Sequence, residues 1–351
     1  MVSDNHTSFL FLSGRFFFLI LILIALFNIN LLVGSVFIPF SELWNALAGD
    51  GGSAYEKIIY LFRIPKAITA LLAGSALSVC GLLMQSLFRN PLAGPSVLGI
   101  TSGSSIGVAL VLLGSGYSAS NYIINQIDID LSFLIFIAAS AGAAFIMAII
   151  LIIASKIQDN IVLLLVGIMI GNITLSVISI WQYFARPEQI QDFLFWTLGS
   201  LSGVSNEKLI LMLVVVVSLV ILVYLFSNQL NVMLTGKNYA TSMGLNYKTN
   251  RFIIILFTSL LTGVVTGFCG PIGFVGIAVP HIARSVFNTS NHKILIPATV
   301  ILGSIILLFC DLIAHLPGSQ YILPINAVTA LIGSPIVIWV IIRNKNIHKA
   351  F

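Results

Sequence analysis

Ten stretches of the chain are almost wholly apolar, and short polar intervals separate them. They run at about 16–38, 67–87, 97–114, 131–154, 161–181, 209–226, 252–269, 272–287, 294–310 and 323–342. A helix needs roughly 20 apolar residues to cross a hydrocarbon core of about 30 Å. The long stretches are therefore predicted to span a membrane as helices. Those at 97–114 and 272–287 are short and rich in Gly, Ser and Pro, and hydropathy alone leaves them open. Phe16 to Ile38 is too long for a signal-peptide core and has no Ala-x-Ala cleavage pattern. It is read as a retained helix that ends before Pro39.

Composition narrows the class further. Of 351 residues, 58% are hydrophobic and 8% are charged, against about 25% charged in an ordinary soluble domain. So few charges cannot coat a soluble protein of this length. A disordered chain or a disulfide scaffold fits no better. The fold class is an all-α polytopic membrane protein of about ten helices, one transmembrane domain over residues 1–351. The net charge is +5, but the basic residues are too scattered to form a nucleic-acid surface, and no nucleic-acid partner is expected. Cys80, Cys269 and Cys310 lie in apolar stretches without metal-ligand spacing. They read as small buried hydrophobes, and no metal site is expected.

Charge placement orients the chain. With ten spans and both termini cytoplasmic, the inner loops hold eleven basic and two acidic residues, a net +9. The outer loops hold five basic and nine acidic residues, a net −4. The excess of Lys and Arg inside favours this orientation. Dropping either short span would break the alternation downstream of it.

Two glycine patterns invite different readings. Gly99, Gly103 and Gly107 form a GxxxGxxxG row, predicted to place three glycines on one helix face where another backbone approaches closely. Gly103 to Gly107 also matches GxSxG around Ser105. A nucleophile elbow needs a strand before its Ser, whereas this match lies inside an apolar span. Helix packing is the preferred reading. No HExxH and no phosphate-binding GxxxxGK[ST] occurs, so no catalytic residue is assigned and this chain is not expected to hydrolyse nucleotide. Ionisable residues inside spans are costly and often functional, yet no helix centre carries a carboxylate. Asp311 lies at the end of the ninth span. Ion-coupled carriers usually hold a carboxylate or a broken-helix site near the midplane. Energy is therefore expected from another subunit.

From Arg63 onward an ordered set of motifs appears. It starts with Arg63-Ile64-Pro65-Lys66, Gly74-Ser75-Ala76, Gly81-Leu82-Leu83-Met84-Gln85 and Arg89-Asn90-Pro91-Leu92-Ala93. Leu165-Val166-Gly167, Trp196 to Ser200, Leu230-Asn231, Gly270 to Gly276, Pro280-His281 and Thr329 to Pro335 follow. Together they resemble the permease subunits of the FecCD family, bacterial ABC importers for iron-siderophores, haem and cobalamin. The match runs from about residue 60 to 343. The resemblance implies a type II importer permease of ten helices in the bacterial cytoplasmic membrane. It implies a second permease subunit, with a homodimer favoured over a heterodimer. It also implies two cytoplasmic ATPase subunits that use ATP and Mg, and a periplasmic or lipoprotein binding protein that delivers cargo. No cofactor is expected on this chain.

Residue roles follow from the resemblance. Arg63 and Lys66, three apart and on one helix face, either snorkel to the interface or form a basic pocket for acidic residues of the binding protein. The family usually adds an Arg four residues after the Asp of the ninth span. Here that residue is His315, which carries charge only near or below a pH of about 6.5 and so implies a weaker, pH-sensitive contact. The polar segment 230–249, with Leu230, Gly236, Lys237, Ala240, Gly244 and Leu245, fits a coupling element of two short helices seated on the ATPase. Relatives often carry acidic residues where Lys237 and Asn238 stand. Pro91 should break the second span, with Gln85 and Asn90 satisfying the freed backbone groups. Pro280, His281 and Arg284 read as structural, ordering the short eighth span. Ile322 stands where relatives often carry Glu, and Asn326 where they carry Gly, which makes the outer mouth less acidic and less flexible. Iron-siderophore is the leading cargo, with haem and cobalamin as alternatives. An ion-coupled transporter or channel acting alone is the alternative of another class.

Overall fold

The apolar stretches fold as helices, and among the described residues no strand forms. The structure is a computed structural model that describes residues 2–34, 36–48, 54–114, 131–157, 159–315 and 322–343. Asp50, Asp128, Asp130, Lys345 and Lys349, which enter the loop charge count, lie outside these residues. The helices are α1 (Val2–Leu32), α2 (Phe40–Ala48), α3 (Ala54–Ile58), α4 (Ile64–Phe88), α5 (Ile100–Leu112), α6 (Leu131–Lys156), α7 (Asn160–Phe184) and α8 (Pro187–Leu198). They continue as α9 (Asn206–Leu225), α10 (Ser227–Leu234), α11 (Lys237–Ser242), α12 (Tyr247–Cys269), α13 (Val275–Phe287), α14 (His292–Ala314) and α15 (Ile325–Arg343). By length and apolar composition, α1, α6, α7, α9, α12, α14 and the continuous run Ala54–Phe88 suit membrane crossing. The other apolar stretches fall on the shorter helices α5, α13 and α15.

Helix α4 is the centre of the bundle, buried on almost every side. Its sequence explains this. Gly74, Ser75, Ala76, Ser78 and Gly81 leave a smooth cylinder against which other backbones can lie. A Cβ on Gly81 would strike the Gly276 carbonyl of α13, and one on Gly74 would strike the Gly303 carbonyl of α14. Helices α12, α13 and α14 pack around α4, with α1 against α14. Helices α7 and α9 stay peripheral, exposing Ile173, Leu175, Ile210 and Leu225. Cys80, Cys269 and Cys310 are buried and unpaired, as expected of small hydrophobes.

Three boundaries differ from the hydropathy reading. The first helix stops at Leu32, not at Pro39. Beyond Leu32 the carbonyls of Val33 and Val36 accept from the Arg63 guanidinium. The second helix begins earlier than its apolar run, since a π-turn at Ile59–Arg63 joins α3 to α4 without a break. Arg63 and Lys66 are thus inside a long helix rather than at its mouth. The third correction concerns Gly99. It is not on the α5 face with Gly103 and Gly107, because its φ of 72° ends a 3-10 turn at Pro95–Leu98 and starts α5. That left-handed conformation suits glycine. Gly103 and Gly107 meet Gly142 and Ala138 of α6, while Gly99 packs on Gly167 of α7. Ser105 donates to the Thr101 carbonyl at 3.1 Å within α5, which leaves the GxSxG match without the strand an elbow needs.

Candidate functional site

Polar side chains gather at the two ends of the antiparallel pair α4 and α14. At the first end, Lys66 Nζ stands 2.8 Å from Asp311 Oδ2. His315 Nδ1 stands 3.2 Å from Asp311 Oδ1, one turn along the same helix. Arg63 donates to the carbonyls of Val33 and Val36, and Gly34 lies flat on its guanidinium, where a Cβ would collide. Arg63 and Lys66 are each 6% exposed and Asp311 is 1% exposed. Within the chain the two cations take different partners, Lys66 a carboxylate and Arg63 two carbonyls. The reason is the cost of burying a charge without a partner.

The opposite end carries a hydrogen-bond network around the end of α4 that includes the Arg284 guanidinium. The helix stops at Phe88, and Arg89 takes a left-handed conformation with φ 48°. Asn90 Oδ1 accepts from the Leu92 N–H at 2.9 Å, an Asx turn beside Pro91. Gln85, expected with Asn90 to satisfy freed backbone groups at the break, turns to α13. It donates to the Ile277 carbonyl at 3.2 Å and accepts from Arg284 Nη1. His281 Nε2 is 2.7 Å from the Pro91 carbonyl. Pro280 lies inside α13. Gln85, Pro91, His281 and Arg284 thus fasten α13 to the end of α4, where its freed carbonyl needs a donor.

The segment 230–249 lies at this same end. Helices α10 and α11 occupy it, separated by Gly236 with φ 99° and followed by Gly244 with φ 84°. Both values favour glycine over any residue with a Cβ. Leu230 and Ala240 are fully buried, pinning the two short helices to the bundle. Leu245 is half-buried, and Lys237 is exposed. Gly236 lies beside the Arg89 guanidinium.

Sequence reasoning missed several residues here. Tyr239 of α11 and Met243, the residue that caps it, are 73% and 66% exposed. Their i, i+4 spacing was the available signal. His292, fully buried, bonds Asn231 and Ser86. An Asn N-cap before an apolar run, here Asn291, was its only trace in sequence. Arg251 donates to the carbonyls of Ala154 and Ile157 at the end of α6. Asn160 donates to Leu87 at 2.7 Å and to the Tyr247 hydroxyl at 2.9 Å. On the Arg63 side, Asn326 Oδ1 accepts the Gly273 N–H at 3.0 Å, tying the start of α15 to the loop before α13.

Among the described residues, no group of three His, Cys, Asp or Glu side chains could hold a metal. The bundle thus has apolar helices around α4, polar clusters at both ends of the α4–α14 pair and two short helices at one of them. The chain belongs to the FecCD transport family, which matches over residues 21–343. It is 33% identical over 335 residues to the vitamin B12 import system permease protein BtuC of Klebsiella pneumoniae, covering 95% of each chain. It is 32% identical over 305 residues to the protein of the same name from Salmonella typhi, covering 86% of this chain and 89% of that one. Among solved structures it resembles a metal-chelate type ABC transporter in an inward-facing conformation. The TM-score is 0.80 at 25% identity, with 93% of this chain and 98% of that one covered. PsaBC from Streptococcus pneumoniae shares the fold more distantly, at TM-score 0.53 and 16% identity, covering 85% and 95%. The chain is a permease subunit of an ATP-binding-cassette importer in the cytoplasmic membrane, and ATP hydrolysis belongs to a separate chain.

Proposed function

We propose that this permease carries a large metal chelate, with cobalamin as the first reading. The observation that carries it is the near full-length similarity to vitamin B12 permeases. A ferric siderophore is the second reading, supported by the FecCD family match. The chelate passes between two copies of this chain, and a dedicated binding protein selects it. Proteoliposomes holding the permease, its ATPase and its binding protein test this directly. ATP-dependent uptake of labelled cobalamin supports the first reading. Uptake of a ferric hydroxamate instead moves the assignment to the second. Uptake of neither, or uptake without any ATPase, overturns the proposal.

Both termini lie in the cytoplasm, so the Arg63 end faces outward and α10–α11 face inward. The binding protein docks at the Arg63, Lys66 and His315 end, and its carboxylates replace the present partners of these groups. Support comes from the convergence of three basic side chains at one end of the α4–α14 pair. The segment 230–249 seats in the ATPase, which holds ATP and Mg. Tyr239 and Met243 are the contact and Gly236 the hinge, while this chain itself binds no cofactor. His315→Arg should tighten docking at neutral pH, and unchanged docking affinity removes His315 from the contact. Removing residues 236–245 should abolish ATPase co-purification, and its retention would refute the seat.

A further inference from the structure

We propose that His292 is the positioning residue that locks the ATPase-coupling segment to the α4–α14 pair, so that movement of α10 reaches the Lys66–Asp311 end as one rigid displacement. The inference rests on the coupling role proposed for segment 230–249.

Three helices meet on the one imidazole. Asn231 of α10 accepts with Oδ1 from both the backbone N–H and the Nδ1–H of His292, each at 2.8 Å. Its amide donates to Asn291 Oδ1 at 2.9 Å. On the other edge of the ring, Nε2 is 2.7 Å from the Ser86 hydroxyl of α4. Because Nδ1 carries the hydrogen given to Asn231, Nε2 accepts the one hydrogen of Ser86, which then does not go to the Leu82 carbonyl of α4, 2.8 Å from the same hydroxyl. One neutral tautomer thus serves both Asn231 and Ser86 in a site closed to water, and His292 is 0% exposed. A buried bond of this kind is expensive to leave unmade, so the three helices are held in one arrangement.

The pair that receives this clamp is itself rigid. Twenty residues separate Ser86 from Lys66 and nineteen separate His292 from Asp311, lengths of about 30 Å and about 28 Å. The two helices are therefore matched end to end. In the middle, Ser304 Oγ donates to the Leu71 carbonyl at 2.9 Å, and the backbones touch at Gly74 and Gly303. At the far end, Lys66 and Asp311 are 2.8 Å apart. Sliding α4 past α14 would break all three fastenings. Packed elements tied in this way move together rather than deform.

The test uses the complete importer of permease, ATPase and binding protein, and reads ATP hydrolysis with and without loaded binding protein. His292→Ala should leave the amount of co-purified ATPase and the basal rate unchanged. The stimulation by binding protein should fall about tenfold, the effect of one lost buried contact on the coupling. His292→Gln offers an N–H and a carbonyl to the same two partners and should restore most of the stimulation. Asn231→Ala and Ser86→Ala should each lower it. Their combination should be no worse than His292→Ala, since both act through one ring. A merely structural role would change assembly and basal rate together and leave the stimulation ratio intact. Wild-type stimulation in His292→Ala overturns the inference. If that variant does not insert, equal stimulation in His292→Gln, Ser86→Ala and wild type does the same. A wild-type importer in which this chain holds no ATPase overturns the coupling role and this inference with it.

Discussion

The two ends of the α4–α14 pair are fastened by opposite chemistry. At one end Asp311 meets Lys66 and His315, and Arg63 meets two backbone carbonyls. At the other, α4 and α14 are joined through Ser86 and His292, with Asn231 on the same ring, by hydrogen bonds between uncharged side chains. A buried ion pair resists losing a partner, because the remaining charge is stranded. A hydrogen bond between neutral groups costs less to break and to remake. The ionic end is therefore the stiffer in stability, and also the one an incoming carboxylate can compete for. The neutral end is better suited to hold a shape through repeated cycles. Function at the two ends should accordingly fail in different ways.

The sharpest challenge to this contrast is Lys66→Met. It leaves Asp311, which is 1% exposed, with His315 but without its lysine, and should cost about 3 kcal/mol, read as a fall in the thermal midpoint of purified protein. Adding Asp311→Leu should recover most of that loss, because the pair is then replaced by apolar contact. No recovery would mean that the pair does more than neutralise itself. Next comes Gly303→Ala in the middle of the pair, where a Cβ meets the Gly74 carbonyl and the Ser78 side chain. Overpacking there should cost about 1–3 kcal/mol. Gly203→Ala, with nothing within 4 Å, should leave the midpoint unmoved. Arg63→Met leaves the carbonyls of Val33 and Val36 without a donor and should lower the midpoint by a comparable amount, about 1–3 kcal/mol. It should also loosen the end of α1, seen as faster proteolysis at residues 33–39. The smallest stability effect is expected for Ser86→Ala, about 1 kcal/mol. If Ser86→Ala destabilised as much as Lys66→Met, the contrast between ionic and neutral ends would collapse.

Much of this was legible in the chain. Charge scarcity and ten apolar runs gave the class, because lipid demands long helices whose backbone groups are satisfied internally. The ordered motifs from Arg63 to Pro335 gave the family. The break at Pro91 and the glycine hinge at Gly236 were readable from covalent geometry, since proline and positive φ restrict the backbone wherever they occur. Even the departure at Asn326 had meaning, for its side chain fixes Gly273 where a glycine has nothing to offer.

Partnership was not legible. The i, i+3 spacing of Arg63 and Lys66 placed both on one face, but nothing in that spacing reveals that Asp311, far along the chain, stands opposite. Gln85 looked like a cap for its own helix and instead joins Ile277 and Arg284. Gly99 looked like one of three in a row and instead breaks the helix. His292 gave no sign of its role, since its partners Ser86 and Asn231 are 206 and 61 positions away. The sequence determines where helices lie in lipid, because that depends on local apolar length and on backbone geometry. Only the tertiary structure decides which buried polar groups meet, because a charge or hydrogen bond in a low-dielectric core takes whichever partner the packing brings within about 3 Å.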